Sequence, residues 1–253
     1  MLLKRLFSRP EQPETRQWSV PVGRRVYAIG DIHGRLDLLN RLLGAIDADD
    51  ARRPDADTTL VILGDLVDRG PESRGVVERL RHFKMADANV ILLKGNHEEL
   101  LIGVWDGERE LAGTFNRAGG RATLMSYGVD GDDYDSWDLG AMTEATRQFV
   151  PQSHIEFLRS FEDWHKIGDY LFVHAGIRPG YDIEDQDPTD LRWIRREFTD
   201  ADTDYGAMII HGHTITDSVE ERHNRIGIDT GAFASGVLTA VGLEGTDRWF
   251  LST

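Results

Sequence analysis

One pattern recurs along this chain and limits the folds open to it: an apolar run, then glycine and a side chain able to bind metal. Its first occurrence is GDIHG at residues 30–34, between the β-branched and aromatic run 26–29 and an amphipathic segment. This order is typical of a buried strand, a tight turn and a helix. Asp31 and His33 should therefore lie together at the end of a strand, as one oxygen and one nitrogen ligand.

The same order of strand, motif and helix continues after the first occurrence. Apolar runs at 59–63 and 90–93 lead into GDLVDRG and GNHE, and runs at 170–173 and 207–210 lead into HAG and HGHT. Strands that alternate with helices predict an α/β fold, with ligands at the carboxyl ends of the strands.

The pattern also predicts the organisation of the chain. Residues 1–19 read as a flexible tail, and 20–253 as one domain. Within that domain, residues 99–169 interrupt the rhythm and read as a helical insert without a strand, placed over the site. The segment 130–138 reads as an acidic loop, and the apolar runs of 225–251 read as an antiparallel meander.

Composition excludes several classes of protein. The chain has 253 residues, with 29 basic and 44 acidic side chains and a formal charge of −15, which argues against a non-specific nucleic-acid binder. It has no cysteine, so disulfides, zinc–thiolate sites and a cysteine nucleophile are excluded, and a reducing cytoplasm is the expected location. No apolar run reaches the ~20 residues that cross a bilayer.

The motifs supply two carboxylates, one amide and three imidazoles as candidate ligands: Asp31, His33, Asp65, Asn96, His174 and His213. Such a mixed nitrogen and oxygen set suits first-row divalent ions better than calcium. Six ligands are too many for one ion that keeps an open position, and they suit two ions ~3.5–4 Å apart that share a carboxylate. Ligand hardness favours manganese, with iron or zinc as alternatives.

In this order, the motifs GDIHG, GDLVDRG, GNHE, HAG and HGHT resemble the phosphoprotein phosphatases of the serine/threonine metallophosphatase type, over residues 26–231. The resemblance implies a metallophosphoesterase-type β-sandwich of two mixed sheets flanked by helices. It implies that Asp31 and His33 bind the first ion and that Asp65 bridges both. The second ion would be bound by Asn96, His174 and His213.

The resemblance also implies a mechanism. A hydroxide that bridges the two ions would attack phosphorus directly, without a phosphoenzyme. Arg69 and Arg195 would bind the phosphoryl oxygens through planar guanidinium groups, although Arg192 and Arg196 lie close to Arg195 in the sequence.

The leaving oxygen needs a proton, and His97 is the candidate acid. Asp68 would orient His97 and raise its pKa. The expected activity is hydrolysis of phosphoserine and phosphothreonine in proteins, with phosphotyrosine as a further substrate.

An alternative is the symmetric cleavage of diadenosine tetraphosphate, which close relatives with the same motifs perform. Residues 116–120 and 126–128, together with HAGIRPG and LRWIR, look more like bacterial protein phosphatases. The aspartates of 130–138 would repel a polyphosphate and attract a basic phosphopeptide; the alternative is a solvated acidic loop that does not contact the substrate.

Two further functions fit the residues less well. Phosphodiesterases and nucleases of the wider group usually carry a second histidine two residues after the one that matches His213, and Ile215 stands there. A phosphoprotein-binding module without catalysis would not need His97, Asp68 and both arginines.

Overall fold

Two five-stranded sheets form the centre of the computed structural model, which describes residues 17–87 and 89–253. The strands of this described part, β1 to β10 in chain order, are Arg24–Ile29, Asp57–Ile62, Val90–Leu92, Trp164–Ile167, Tyr170–Val173, Met208–His211, Glu220–Glu221, Arg225–Gly227, Thr239–Glu244 and Asp247–Ser252. The first sheet has the order β10-β9-β1-β2-β3 and the second the order β4-β5-β6-β8-β7.

Both sheets are mixed. Strands β1, β2 and β3 are parallel, with β9 antiparallel to β1 and β10 antiparallel to β9. In the second sheet β5, β6 and β8 are parallel, with β4 and β7 antiparallel at the two edges. The predicted α/β architecture of two mixed sheets is therefore confirmed.

The first strand shows why the sheets form a sandwich. Successive side chains of a strand point to opposite faces, and both faces of β1 are apolar. Val26 and Ala28 pack between the sheets, against Phe172 of β5, whereas Tyr27 and Ile29 face a separate core that includes helices. Each sheet thus buries one face against the other sheet and one face against helices.

Eleven α-helices, α1 to α11, lie in the described residues: Leu36–Asp50, Ser73–Ala86, Asn96–Asp106, Arg109–Ala118, Gly120–Ser126, Gly131–Ser136, Leu139–Phe149, Gln152–Arg159, Pro188–Trp193, Arg196–Thr199 and Ala232–Ser235. Helices α1 and α2 cover the first sheet, and α9 and α10 cover the second through Leu191 and Phe198. Helices α3 to α8 form the predicted helical insert.

The structure corrects two details of that insert. The segment 99–169 contains a strand, because Trp164–Ile167 pairs antiparallel with Tyr170–Val173 across a tight turn. The segment 130–138 is not a loop but holds helix α6, since the Asp130 carboxylate accepts the N–H groups of the first helical turn. Local capping therefore outweighs the acidic composition that suggested a loop.

Two other expectations at the ends of the chain are also wrong in part. Trp18 is buried, and Ser19 donates its N–H and hydroxyl to the Asp169 carboxylate, both at 3.0 Å. Residues 18 and 19 are therefore part of the folded domain, and residues 1–16 of the predicted tail lie outside the described part. The C-terminal runs are not one meander, because β8 joins the second sheet and the β9–β10 hairpin joins the first. No helix of residues 17–87 and 89–253 is long and apolar enough to cross a bilayer.

A buried arginine fastens α1 to the first sheet. Arg25 on β1 is 1% exposed, and its guanidinium donates to Asp50 Oδ1 at 2.7 Å, Glu244 Oε2 at 3.0 Å and the Pro54 carbonyl at 2.6 Å. It thereby joins the end of α1, the following loop and strand β9.

Replacing this guanidinium should destabilise the fold. Loss of one member of a buried ion pair typically costs ~3–5 kcal/mol. Because the Asp50 and Glu244 side chains are 36% and 32% exposed, they can partly regain water. We expect Arg25→Met to lower the free energy of unfolding by ~2–4 kcal/mol, measured by urea denaturation.

Arg222→Met is the matched control, since its side chain is 58% exposed in its pair with Glu220. That change should cost less than ~1 kcal/mol. Equal losses in the two variants would contradict the structural role of Arg25.

Candidate active site

The predicted metal ligands converge at one edge of the sandwich. Each lies just beyond a strand of the parallel part of a sheet, where the carboxyl ends meet. All six are at most 5% exposed: Asp31, His33, Asp65, Asn96, His174 and His213.

Asp65 lies at the centre of this set. Its Oδ2 atom is 3.6 Å from His33 Nε2, 3.5 Å from His174 Nε2 and 3.8 Å from His97 Nε2. Two groups of three residues each bring their ligand atoms within 4.8 Å of one another: His33, Asp65 and His97, and Asp65, His174 and His213. Asp65 belongs to both groups, as expected for a bridging ligand, although the first group contains His97, the predicted acid, in place of the predicted ligand Asp31.

Backbone carbonyls orient two of the imidazoles. His33 Nδ1 donates to the Val67 carbonyl at 2.7 Å, and His174 Nδ1 donates to the Leu63 carbonyl at 2.9 Å. Each Nε2 therefore turns a lone pair toward Asp65. Within the described residues, the buried Nε2 atoms of His33 and His213 have no hydrogen-bond partner. This donor set fits divalent ions, whose coordination would satisfy these nitrogens.

Burial keeps these imidazoles unprotonated. It lowers the pKa of His33 to about 3 and that of His213 to about 2, and it also lowers the pKa of His174. A metal ligand must offer a lone pair, so all three histidines are in the required state near neutral pH.

His97 is in the opposite state. Burial would lower its pKa, but the carboxylates of Asp65 and Asp68 outweigh burial and raise it to about 9. His97 Nδ1 donates to Asp68 Oδ2 at 2.6 Å. Arg69 Nη2 lies 3.2 Å from His97 Nε2, an approach that favours the neutral ring, but two carboxylates dominate over one guanidinium. His97 can therefore carry a proton beside Asp65, as an acid rather than a metal ligand.

The site also holds all the left-handed backbone among non-glycine residues of the described chain. These residues and their φ angles are His33 at 45°, Asp65 at 49°, Asp68 at 72°, Arg69 at 67° and His213 at 61°. Such conformations cost ~1–3 kcal/mol each and persist only where the surroundings enforce them. These backbone conformations turn the five side chains toward one another.

Glu98 is one enforcing residue, and the sequence analysis missed it. Its buried carboxylate accepts the N–H groups of Asp65 and Leu66 at 2.8 Å each and that of Gly95 at 2.9 Å. Gly95 permits the close approach, because a Cβ atom there would lie 2.1 Å from Asp65 Oδ1. The position of Glu98 in the first turn of α3, as in a capping box, is the signal that could have found it.

Asp229 is a second missed residue. It follows β8, is 2% exposed, and accepts the Gly231 N–H at 2.9 Å through Oδ1. Its Oδ2 atom has no hydrogen-bond partner among the described residues. Burial, with the negative charge of Asp65, raises the pKa of Asp229 to about 6. The recurring order of strand, polar ligand and glycine continues at residues 225–231 and is the signal for it.

The first predicted phosphate-binding arginine lies beside His97. Arg69 Cζ sits 4.7 Å from the centre of the Phe233 ring, and that ring is 5.6 Å from the ring of His33. Phe233, which carries no motif, thus supports the guanidinium at the rim of the ligand groups.

The second predicted arginine is exposed near the histidines. Burial is the main cause of the lowered pKa of His174, and the positive charge of Arg195 adds to it. The neighbouring Arg192 is instead engaged with Asp163 at 2.8 Å and Glu99 at 3.1 Å. Arg195 is therefore better placed than Arg192 to meet an anion at the site.

Residues 24–225 match the model of the calcineurin-like phosphoesterase family. The chain belongs to that family. The family is one of metal-dependent hydrolases, in agreement with the His/Asp groups of the site. A crystal structure classed provisionally as a diadenosine tetraphosphatase is similar in fold, with a TM-score of 0.63, 21% identity, and coverage of 94% of this chain and 98% of that one.

Curated relatives of this phosphoesterase include symmetrical bis(5'-nucleosyl)-tetraphosphatases. The protein from Yersinia enterocolitica is 35% identical over 158 residues, which is 62% of this chain and 44% of the relative. The protein from Nitrosospira multiformis is 29% identical over 159 residues, 63% of this chain and 46% of the relative. The match thus spans less than half the length of either relative.

The shared position of Asp65 generates a prediction for this phosphoesterase. Asp65→Asn keeps the shape of the side chain but removes the charge that both ligand groups share. We expect bound Mn²⁺, measured by elemental analysis after gel filtration, to fall from two ions per chain, and turnover to fall with it. Asp138→Asn, at the cap of α7, should change neither. A variant at residue 65 with two ions and normal turnover would rule out the bridging role.

Proposed function

We propose that this calcineurin-like phosphoesterase hydrolyses its substrate with two divalent ions bound, Mn²⁺ being favoured over iron or zinc by the ligand set. The observation that carries the proposal is the shared Asp65, with His97, whose pKa is raised, and the Arg69 guanidinium beside it. When bound, the ions would activate water and neutralise phosphate charge.

Each ion has a proposed set of ligands around Asp65. Asp31 and His33 would hold the first ion, and their side chains follow the same strand. The distance of 3.1 Å between Asn96 Oδ1 and His174 Nε2 supports a second ion bound by both side chains. The ligands of the second ion would be Asn96, His174 and His213.

The remaining residues would act on the phosphoryl and leaving groups. Arg69 and Arg195 would bind the phosphoryl oxygens, whose negative charge grows toward the transition state. His97 would donate its Nε2 proton to the leaving oxygen, while Asp68 holds the opposite side of the ring.

The first substrate class to consider is the dinucleoside tetraphosphates. The names of the curated relatives support this alternative, and they do not support the protein-phosphatase activity expected from the sequence. The acidic segment is also a weaker obstacle to a polyphosphate than expected. Asp130 and Asp138 cap helices, and Asp135 pairs with Arg121 at 2.8 Å.

Phosphoproteins are the second candidate class, and the His97–Asp68 pair favours them. A serine or threonine alkoxide leaves only with a proton, whereas a nucleoside diphosphate is a stable anion that needs little acid assistance. A buried carboxylate–imidazole pair at 2.6 Å is therefore worth most to a phosphomonoester with an alkoxide leaving group.

A direct comparison decides between these classes. The Mn²⁺-loaded chain would be assayed on diadenosine tetraphosphate, with detection of ADP, and on phosphoserine, phosphothreonine and phosphotyrosine peptides. Asp65→Asn, purified in parallel, gives the contaminating background. We expect the higher kcat/KM on diadenosine tetraphosphate. A tenfold preference for phosphopeptides would replace that proposal with the second, and inactivity on all substrates would contradict both.

The acid role of His97 predicts a dependence on the leaving group. His97→Asn should slow hydrolysis of an alkyl phosphate by ~10²–10⁴-fold, because the alkoxide loses its proton donor. An activated aryl phosphate, whose phenolate leaves unprotonated, should lose much less. The measurement is kcat on the two substrates.

His82→Asn serves as the control, because this α2 histidine is 62% exposed. It should leave both rates unchanged. If His97→Asn slowed the alkyl and aryl phosphates equally, His97 would not be the acid.

A further inference from the structure

The loop that carries Asp68 and Arg69 needs support from outside itself. Both residues have left-handed backbone, with φ of 72° and 67°, and neither is glycine. Two such residues in succession are strained, so the loop must be held by contacts with other elements.

Helix α5 of the insert supplies those contacts. The Gly119 carbonyl, just before α5, accepts the Arg69 N–H at 3.3 Å. Gly119 itself has φ of 107°, and a Cβ atom there would lie 2.7 Å from the Arg69 nitrogen. Glycine at this position therefore lets the insert approach the loop closely.

Thr123 makes the second contact, with both the backbone and the side chain of Asp68. Its Oγ1 atom accepts the Asp68 N–H at 2.8 Å and donates to Asp68 Oδ1 at 2.6 Å. Thr123 is fully buried, so water does not compete for these bonds. The other carboxylate oxygen, Oδ2, accepts from His97 at 2.6 Å.

We propose that Thr123 is a positioning residue that fixes the Asp68 carboxylate and, through it, the ring of His97. The inference rests on the acid role proposed for His97, and it assigns part of the helical insert to the chemistry. With Oδ1 held by Thr123, the carboxylate cannot rotate away from His97 Nδ1. The imidazole then keeps Nε2 directed at the leaving oxygen.

Further contacts hold α5 in place. The Ser126 hydroxyl accepts the Arg74 N–H at 3.0 Å, which joins α5 to α2. The Tyr127 hydroxyl donates to His154 Nδ1 at 2.9 Å, and His154 Nε2 donates to Glu78 on α2 at 2.7 Å. Helix α2 begins just after the Asp68 loop, so the loop and the insert are both attached to this helix.

Three variants of the full chain test the inference. Thr123→Val keeps the shape and removes the hydroxyl, and Thr123→Ser keeps the hydroxyl. Thr146→Val is the matched control, since Thr146 is a fully buried residue of the same insert whose hydroxyl donates only to the Met142 carbonyl at 2.8 Å. If Thr123→Val fails to fold, Thr123→Ala removes the hydroxyl without added bulk.

The first readout is kcat and KM on an alkyl and an aryl phosphate. Loss of a group that orients a metal ligand typically costs ~10–100-fold, and we expect the same order for a group that orients the acid. Thr123→Val should lose that much kcat on the alkyl phosphate, with less loss on the aryl phosphate and little change in KM. Thr123→Ser should recover most of the rate, and Thr146→Val should match the wild type. Equal losses on both substrates, or no loss, would overturn the inference.

The second readout does not depend on the substrate. In proton NMR of the Mg²⁺-loaded protein, the His97 Nδ1 proton should give a downfield signal that is absent from His97→Asn. Thr123→Val should move or broaden this signal, and Thr123→Ser should restore it. An unchanged signal in Thr123→Val would overturn the inference even if catalysis were impaired. If the wild type hydrolysed neither phosphate, the proposed acid role would fail while this measurement still tested the link from Thr123 to His97.

Discussion

The burial of the Asp65 carboxylate is the constraint on which the site depends. A buried charge is costly unless opposite charges or hydrogen bonds surround it. Asp65 Oδ1 accepts the backbone N–H of His97 at 3.1 Å, and the raised pKa of His97 favours positive charge beside it. His33 and His174 instead direct Nε2 lone pairs at Asp65 from 3.6 and 3.5 Å, so divalent ions between them would compensate the rest of the charge. These three histidines follow three different strands, which bring them together because parallel strands of both sheets end at one edge. The sandwich architecture thus provides the place where the buried charge of Asp65 can be accommodated.

The local backbone follows from that requirement. Side chains that leave a strand end must turn sharply to reach a common point, and non-glycine residues such as Asp65 and His213 take left-handed φ angles to do so. Strain of this kind must be held by other interactions. The Glu98 carboxylate accepts three backbone N–H groups at and near Asp65. Thr123, on the insert, accepts the N–H of Asp68. The supporting residues therefore matter as much to the geometry as the predicted ligands.

This division also explains what the sequence could and could not predict. The candidate ligands were predictable because each follows an apolar strand within a few residues, a local pattern. The supporting contacts are not local, since Thr123 lies 55 residues from Asp68. Strand β4 escaped prediction because its residues, Trp164–Ile167, are mostly half-exposed and lack an apolar run. The choice of a sandwich over an open sheet came from the family resemblance, because strands buried on both faces have the same apolar pattern in either.

The helical insert does not only surround the site but also contacts the loop that carries Asp68. Its helix α5 faces inward and holds the Asp68 loop, and the aspartates at 130, 135 and 138 have partners within the insert. The half-buried ring of Phe233 instead lies beside the Arg69 guanidinium, 4.7 Å from its Cζ atom, and next to the ring of His33. An apolar ring beside a guanidinium can stack with a planar group, either a nucleobase or an aromatic side chain. The shared motifs therefore identify the chain as a calcineurin-like phosphoesterase, whereas Phe233 lies outside the motifs and could help to choose among phosphoesters.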